Sequence, residues 1–151
     1  MAQPVIKLIA AARVVSIRSI IPSYSAPAPM WGKLHSFLGK NGIKPVGPPF
    51  SIYYDDGYKE RDVDVEACFP IAEDAKVPTD KEIKVTKLPE IPEAVSLTHK
   101  GPYTELPETY GTIFKWIGTH GKTPAGPSRE IYHVMEGDQK DFVTEVVVPV
   151  H

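Results

Sequence analysis

The sequence predicts an α+β fold built from two copies of a strand–helix–strand–strand unit, with antiparallel sheets and one main helix per copy. Three observations support this prediction. Two segments carry apolar residues at helical spacing, several shorter segments alternate apolar and polar residues, and the chain aligns with itself over a long span. One helix covers only one face of a sheet, so the other face must contact the other copy or a ligand. We therefore expect a pseudo-twofold arrangement with a ligand groove between the copies.

The internal repeat runs without a gap when Gly42 is placed on Gly121, so that GIKPVGPPFSIYYDD falls on GKTPAGPSREIYHVM. Glycines, prolines and an Ile-Tyr pair coincide between these two stretches. Further matches are Glu66 with Glu145, Pro70 with Pro149 and, one residue out of register, VVSI (14–17) with AVSL (94–97). The sequence thus predicts a single domain, made by tandem duplication of repeat 1 (about 3–71) and repeat 2 (about 82–150), with a linker at 72–81.

Each copy begins with two predicted strands. The first is VIKLIA (5–10) in one copy and EIKVTKL (82–88) in the other, and the second is RVVSIRSI (13–20) and EAVSLTHK (93–100). A turn rich in proline follows in both copies, and it contains the equivalent residues Tyr24 and Tyr103. We predict a structural role for both tyrosines.

The helix of each copy is predicted in MWGKLHSFLGKNG (30–42) and TYGTIFKWIGTHG (109–121), each of which ends at a glycine. Trp116 aligns with Phe37 on the apolar stripe, so we expect it in the core. Two strands joined by a hairpin turn close each copy. They are FSIYYD with DVDVEACFPI around the turn DGYKE, and REIYHV with DFVTEVVVPV around the turn EGDQK.

Composition excludes several classes of function. The formal net charge of −2 provides no basic surface for nucleic acid, and the single cysteine, Cys68, rules out an internal disulfide and fits a reducing compartment. Cys68 lies in the apolar run EACFPI and is interpreted as a buried residue. The N-terminal apolar run is interrupted by Lys7 and Arg13, so we expect no membrane span and a cytoplasmic protein. The five histidines have no ligand spacing and no phosphate-binding loop is present, so neither metal nor cofactor is predicted.

The segments GPYTEL and YGTIFKWI, the strand SREIY and the duplicated layout resemble the GyrI-like small-molecule-binding domain, also called the AraC-type or MerR-type effector-binding domain. The resemblance extends from about Val5 to Val150. It implies a stand-alone protein that binds hydrophobic, often cationic, drug-like molecules. The implied function is multidrug binding or sequestration. It also implies that Glu130, at the first position of the E-I-Y strand, is the acidic pocket residue.

Strand alternation places Glu130 and Tyr132 on one face of their strand. We expect Ile52 and Ile131, which are identical in both copies, to pack under the helices, so that Glu130, Tyr53 and Tyr132 face the groove. The predicted ligand-binding residues are this glutamate, its copy-one equivalent and nearby aromatic residues: Glu130, Ser51, Tyr53, Trp31, Tyr110 and Tyr132. Tyr58 and Tyr103 are further candidates for the wall, and Tyr54 is placed at the hairpin tip.

The expected ligands are lipophilic cations, for a physical reason. A carboxylate among aromatic rings attracts a cation more strongly than it would in water, and each ring adds about 0.5–2 kcal/mol of cation–π attraction. Apolar burial, at about 25 cal/mol per Å², supplies most of the affinity. Glu130 is therefore predicted to select for positive charge.

The sequence leaves open three alternatives to a cation-binding role for Glu130. Glu130 is a solvated strand residue paired with a lysine or arginine, or it serves a hydrolase, or the domain is a protein-interaction module. The resemblance implies that some relatives hydrolyse reactive cyclopropane-containing compounds, and here Glu130 with a pocket tyrosine such as Tyr110 could activate water. His133 is expected to face away from Glu130 by alternation, which weakens a catalytic dyad. His99 and His120 are interpreted as surface or turn residues.

Overall fold

The structure is a computed structural model that describes residues 3–24, 28–55 and 60–151. In chain order the elements are β1 (Val5–Ile9), β2 (Ala12–Ile21), α1 (Met30–Lys40), β3 (Phe50–Tyr53), β4 (Val63–Pro70), β5 (Lys84–Leu88), β6 (Ile91–Lys100), α2 (Leu106–Thr119), β7 (Ser128–Val134) and β8 (Val143–Pro149). Short 3-10 helices precede α2 at Tyr103–Glu105 and β8 at Gln139–Asp141. The α+β prediction is confirmed. Residues 56–59 of the turn DGYKE, which include Tyr58, lie outside the described residues.

The chain divides into two compact units. Unit 1 is formed by Met1–Ala10 together with Glu90–His151, and unit 2 is the continuous segment Ala11–Pro89. Each unit contains four antiparallel strands and one α-helix among the residues described.

Unit 1 contains a sheet in the strand order β1-β6-β8-β7. Helix α2 packs on one face of this sheet, where its buried residues Ile113 and Ile117 contact Val95 and Val146. The helix begins at Leu106, three residues before the predicted start, because Pro107 is accommodated in the first turn without losing a hydrogen bond. The central strands are buried on both faces over 94–97 of β6 and 144–149 of β8, since consecutive side chains point to opposite faces and all of those in these segments are buried.

Unit 2 contains a sheet in the order β5-β2-β4-β3. Helix α1 covers one face through Leu34 and Leu38, which join a core with Val15 and Ala67. The predicted linker packs against this core rather than extending freely. The Arg13 guanidinium donates hydrogen bonds to the carbonyls of Ala72 and Ala75, at 2.8 and 2.7 Å.

Corresponding elements occupy corresponding places in the two units, with one exchange. Strand β1 pairs with β6 in unit 1, and β5 pairs with β2 in unit 2. In both cases the opening strand lies beside an equivalent serine: Val5 pairs with Ser96, and Lys84 pairs with Ser16. The first strand of each predicted repeat therefore belongs to the unit formed by the rest of the other repeat. The tandem duplication itself stays a prediction.

Candidate functional site

Glu130 lies on the helix-covered face of the unit 1 sheet. In strand β7 it pairs with Val146 of β8, and Val146 belongs to the core beneath α2. The glutamate is only 8% exposed. A buried carboxylate needs polar partners, because its transfer from water without them costs several kcal/mol.

Two tyrosines supply hydrogen bonds to this carboxylate. Tyr110, in α2, donates from its hydroxyl to Oε2 of Glu130 at 2.5 Å, and Tyr132, two residues along β7, donates to Oε1 at 3.2 Å. Hydrogen bonds to a charged acceptor are shorter and stronger than those between neutral groups. The helix and the strand are therefore joined through Glu130.

Tyr103 forms a third aromatic wall of this site. Its ring contacts the ring of Tyr132 edge-on, with centroids 5.9 Å apart, and lies 5.2 Å from the ring of Phe142. Burial, and after it the charge of Glu130, raises the pKa of Tyr103. Tyr103 was predicted to have a structural role in its turn and was also a candidate for the wall, and it lies beside Glu130. We call Glu130, Tyr103, Tyr110 and Tyr132 the Glu130 site.

The expected orientation of the strand residues is wrong. Ile131 pairs with Glu145 on the face opposite α2, and Ile52 likewise pairs with Glu66, so neither isoleucine packs under a helix. Both faces of these sheets are buried, and alternation alone therefore does not reveal which face the helix covers. The expectation that His133 faces away from Glu130 is confirmed, because its Nε2 lies 2.9 Å from Oε1 of Glu145.

Three of the six predicted ligand-binding residues are in direct contact in unit 1, namely Glu130, Tyr110 and Tyr132. The other three lie in unit 2. There Ser51 is buried and pairs with Ala67, so that Ser51 and the half-buried Tyr53 face α1. The ring of Tyr53 lies 5.7 Å from that of Tyr24, and the equivalent rings of Tyr132 and Tyr103 in unit 1 are 5.9 Å apart.

The remaining aromatic predictions have mixed outcomes. Trp31 packs against the unit 2 core, with its ring edge-on to Phe69 at 5.5 Å. Trp116 is only partly buried against the unit 1 core, and its ring stacks on His120 at 3.8 Å. Cys68 is buried, as predicted.

Two residues near the Glu130 site were not recognised from the sequence. Phe114, one helical turn after Tyr110, is 47% exposed in spite of its apolar side chain. Thr144, opposite Tyr132 in the sheet, is fully buried, and its hydroxyl is without a hydrogen-bond partner. The sequence signal for Phe114 is its apolar side chain in the helix that also carries Tyr110. Thr144 has no comparable signal in the sequence.

A separate carboxylate network lies on the opposite face of the unit 1 sheet. Glu145 is bonded by Ser96 Oγ at 2.6 Å, by Lys7 Nζ at 2.5 Å and by His133. Burial alone would raise the pKa of Glu145, but these three partners outweigh it and lower the pKa to about 2. In unit 2 the equivalent Glu66 accepts a hydrogen bond from Ser16. These carboxylates have partners on neighbouring strands, which is the pattern of a structural network.

No group of three or more His, Cys, Asp or Glu side chains within the described ranges is arranged to hold a metal ion. Over the same part of the chain, neither helix has the length and apolar character required to cross a bilayer.

The antiparallel strands and the two helices form an α+β fold of the same kind as a solved effector-binding domain. The chain belongs to the GyrI-like small molecule binding domain family, whose model matches residues 2–151. No curated protein sequence matches the chain.

Two solved structures of EcmrR are similar to this chain in fold and in sequence. The C-terminal domain of EcmrR is 28% identical, with a TM-score of 0.84 over 100% of this chain and 98% of that one. EcmrR in its complex with DNA is 27% identical, with a TM-score of 0.90 over 99% of this chain, which spans 57% of the EcmrR chain.

Two more distant structures share the fold alone. A hydrolase encoded by lin2189 from Listeria innocua is 13% identical, with a TM-score of 0.73 over 99% of this chain and 92% of that one. SAV2435 bound to tetraphenylphosphonium is 10% identical, with a TM-score of 0.60 over 99% and 94%.

Proposed function

We propose that this chain binds hydrophobic, preferentially cationic small molecules at the Glu130 site, and that it binds or sequesters several such compounds. The observation that carries this proposal is a carboxylate, 8% exposed, that accepts hydrogen bonds from Tyr110 and Tyr132 and has Tyr103 beside it. Aromatic rings and a buried negative charge together are the features that recognise a large organic cation.

The two parts of this site contribute differently to affinity. The rings offer apolar surface, which is worth about 25 cal/mol per Å² whatever the charge of the ligand. The carboxylate discriminates, because an ionised oxygen in a medium of low dielectric constant attracts a cation and gives a neutral analogue nothing comparable. Binding of several unrelated cations follows, since burial and stacking require little precision of shape.

One distant structure guides the choice of probe. SAV2435 has the same fold and is bound to tetraphenylphosphonium, a lipophilic cation. Smaller phosphonium cations have neutral analogues of similar shape, so the preference of the protein for a charged ligand can be measured directly.

Other parts of the proposal rest on the sequence. Ser51, Tyr53 and Trp31 as further ligand-binding residues, the duplicated architecture with its groove, and a cytoplasmic location all stay predictions. Alanine variants of Tyr53 and Trp31 tested with the same probes would decide their part in binding.

The experiment compares methyltriphenylphosphonium with triphenylphosphine oxide, two molecules of similar shape of which only the first is charged. Calorimetric titration of the native protein should give binding of the cation in the micromolar range. In Glu130→Gln, which keeps the size of the side chain, the cation should lose about tenfold in affinity and the neutral compound less than about twofold. Glu136→Gln removes an exposed carboxylate and serves as the control. Equal losses for both compounds, or no loss for the cation, would contradict the proposal.

Hydrolysis at the same site is the second candidate, favoured by the 2.5 Å bond between Tyr110 and Glu130. A hydroxyl and a carboxylate in this arrangement can act as acid and base. Glu130 would accept a proton from water as the water oxygen attacks a strained cyclopropane carbon. The ring bond then breaks, and its electron pair passes to a conjugated carbonyl that is protonated by Tyr110.

The hydrolase hypothesis is tested by incubating a cyclopropane-containing electrophile with the protein. Mass spectrometry then detects a product that is heavier than the electrophile by one molecule of water. Turnover that disappears in both Glu130→Gln and Tyr110→Phe supports it. A rate equal to that in buffer leaves binding as the function.

A further inference from the structure

His99 connects helix α2 to the turn that precedes it. Its imidazole lies near the end of β6, with Nδ1 2.9 Å from the hydroxyl of Thr109 in α2 and Nε2 3.1 Å from the carbonyl oxygen of Pro102. A carbonyl only accepts, so Nε2 carries a hydrogen, and in the neutral imidazole Nδ1 accepts from Thr109. The predicted surface or turn position of His99 is wrong, because the side chain is half-buried between strand and helix.

The turn held by His99 is tightly packed. Gly101 has a φ of 130°, and a methyl group at its Cα would lie 3.2 Å from Oε1 of Glu105 and 3.7 Å from Nε2 of His99. The amide of Gly101 also donates to the carbonyl of Phe142 at 2.8 Å. The backbone before Tyr103 is therefore held by a side-chain hydrogen bond at Pro102 and a backbone hydrogen bond at Gly101.

Tyr103 is the first residue of the 3-10 helix that follows this turn. It is 41% exposed, so core packing alone does not fix its ring. Its position beside Tyr132 and Glu130 consequently depends on the backbone that carries it.

We propose that His99 is a positioning residue of the Glu130 site, which fixes Tyr103 as one wall by holding Pro102 and Thr109 together. This inference rests on the proposed function for its effect on ligands, although the effect on Tyr103 is independent of any ligand. A wall fixed before binding lowers the entropy cost of ordering side chains around the ligand.

The internal repeat provides a comparison within the same chain. When VVSI is placed on AVSL, the residue that falls on His99 is Ser19, and Ser19 is exposed. Tyr24 is the equivalent of Tyr103 and contacts Tyr53 in the corresponding way. The position in unit 1, which contains the Glu130 site, therefore carries a histidine, whereas the equivalent position in unit 2 carries a serine.

The first test observes Tyr103 without a ligand. Tyrosine is labelled with carbon-13 at Cζ, and the Tyr103 resonance is assigned from its loss in Tyr103→Phe. In His99→Leu, which removes both contacts, this resonance should shift and should titrate at lower pH, because Tyr103 moves away from Glu130 and into solvent. Thr109→Val should cause part of the same change, Thr109→Ser little, and Ser19→Ala none.

The second test measures the affinity for methyltriphenylphosphonium. His99→Leu should weaken binding about tenfold, and His99→Gln, which can donate and accept, should recover much of the loss. If His99→Leu does not fold, Thr109→Val takes its place in both tests.

The two proposals fail in different ways. Should the native protein bind no probe while the Tyr103 resonance still responds to His99→Leu, the positioning role holds and the ligand proposal fails. A native protein that binds the cation, with neither the resonance nor the affinity changed in His99→Leu and Thr109→Val, would overturn the positioning role.

Discussion

The hydroxyl of Tyr110 donates to the carboxylate of Glu130 at 2.5 Å, and this contact joins helix α2 to strand β7 across twenty residues of chain. It places the negative charge under the helix, on the face where the hydrophobic core lies. The same contact that completes the candidate ligand site therefore also contributes to the stability of unit 1.

Tyr110→Phe should reduce the free energy of unfolding by about 1.5–3 kcal/mol, because a charged acceptor loses a buried hydrogen bond. Tyr132→Phe should cost less, since its bond to the same carboxylate is longer, at 3.2 Å. Urea denaturation of the two variants beside the native protein measures both losses. A loss for Tyr132→Phe that exceeds the loss for Tyr110→Phe would contradict the assigned geometry.

The Glu145 network should make stability depend on pH in the acid range. The pKa of Glu145 is lowered from 4.5 to about 2 in the folded protein, so its contribution is complete above the unfolded pKa and is lost as pH falls from about 4.5 to about 2. Glu145→Gln should cost about 1–3 kcal/mol at pH 7 and much less at pH 2. Urea titrations at a series of pH values test this, with Glu136→Gln as the exposed control. An equal difference at both pH values would refute it.

Thr144→Val should stabilise the protein by about 1 kcal/mol, because it replaces a buried hydroxyl that makes no hydrogen bond with a methyl group of nearly the same size. Thr109→Val is the matched comparison, and it should destabilise, since Thr109 is bonded to His99. Thermal unfolding of the two valine variants gives opposite shifts in Tm if this holds. A lower Tm for Thr144→Val would show that the hydroxyl has a polar partner in solution.

Gly101→Ala should destabilise the protein by about 1–3 kcal/mol, because its φ of 130° is strained for any side chain and the added methyl group meets Glu105. Gly111→Ala, in the middle of α2 with open space around it, should instead stabilise by about 0.5–1 kcal/mol. Denaturation midpoints of the two alanine variants provide the comparison. Two losses of equal size would argue against the packing described for the turn.

The sequence predicted those features of the fold that depend on local patterns. The eight strands and two helices follow from alternation, helical spacing and turn residues, and their ends lie within about three residues of the predicted ones. Helix α2 starts earlier than predicted because Pro107, expected in the preceding turn, is compatible with the first turn of a helix.

Features that depend on distant pairing were not predicted. Strand β1 pairs with β6, and β5 pairs with β2, so each lies at the edge of the sheet formed by the other repeat. The sequences of β1 and β5 do not indicate which edge each of them joins. The expected packing of Ile52 and Ile131 under the helices was wrong because Ser51 and Ile52 are adjacent and both buried, so alternation did not identify the helix-covered face. Glu130 was found from the E-I-Y strand and Tyr103 was among the candidates for the wall, whereas Phe114 and Thr144 became evident only from burial and hydrogen bonding.

The exchanged strands also have a consequence for the way the gene encodes the molecule. Unit 2 is one uninterrupted stretch from Ala11 to Pro89, whereas unit 1 is encoded on both sides of it. The arrangement is that of one module inserted within another. A ribosome completes the inner module before it makes the later strands of the outer one. A fragment cut at the repeat boundary should lack an edge strand that its own half requires.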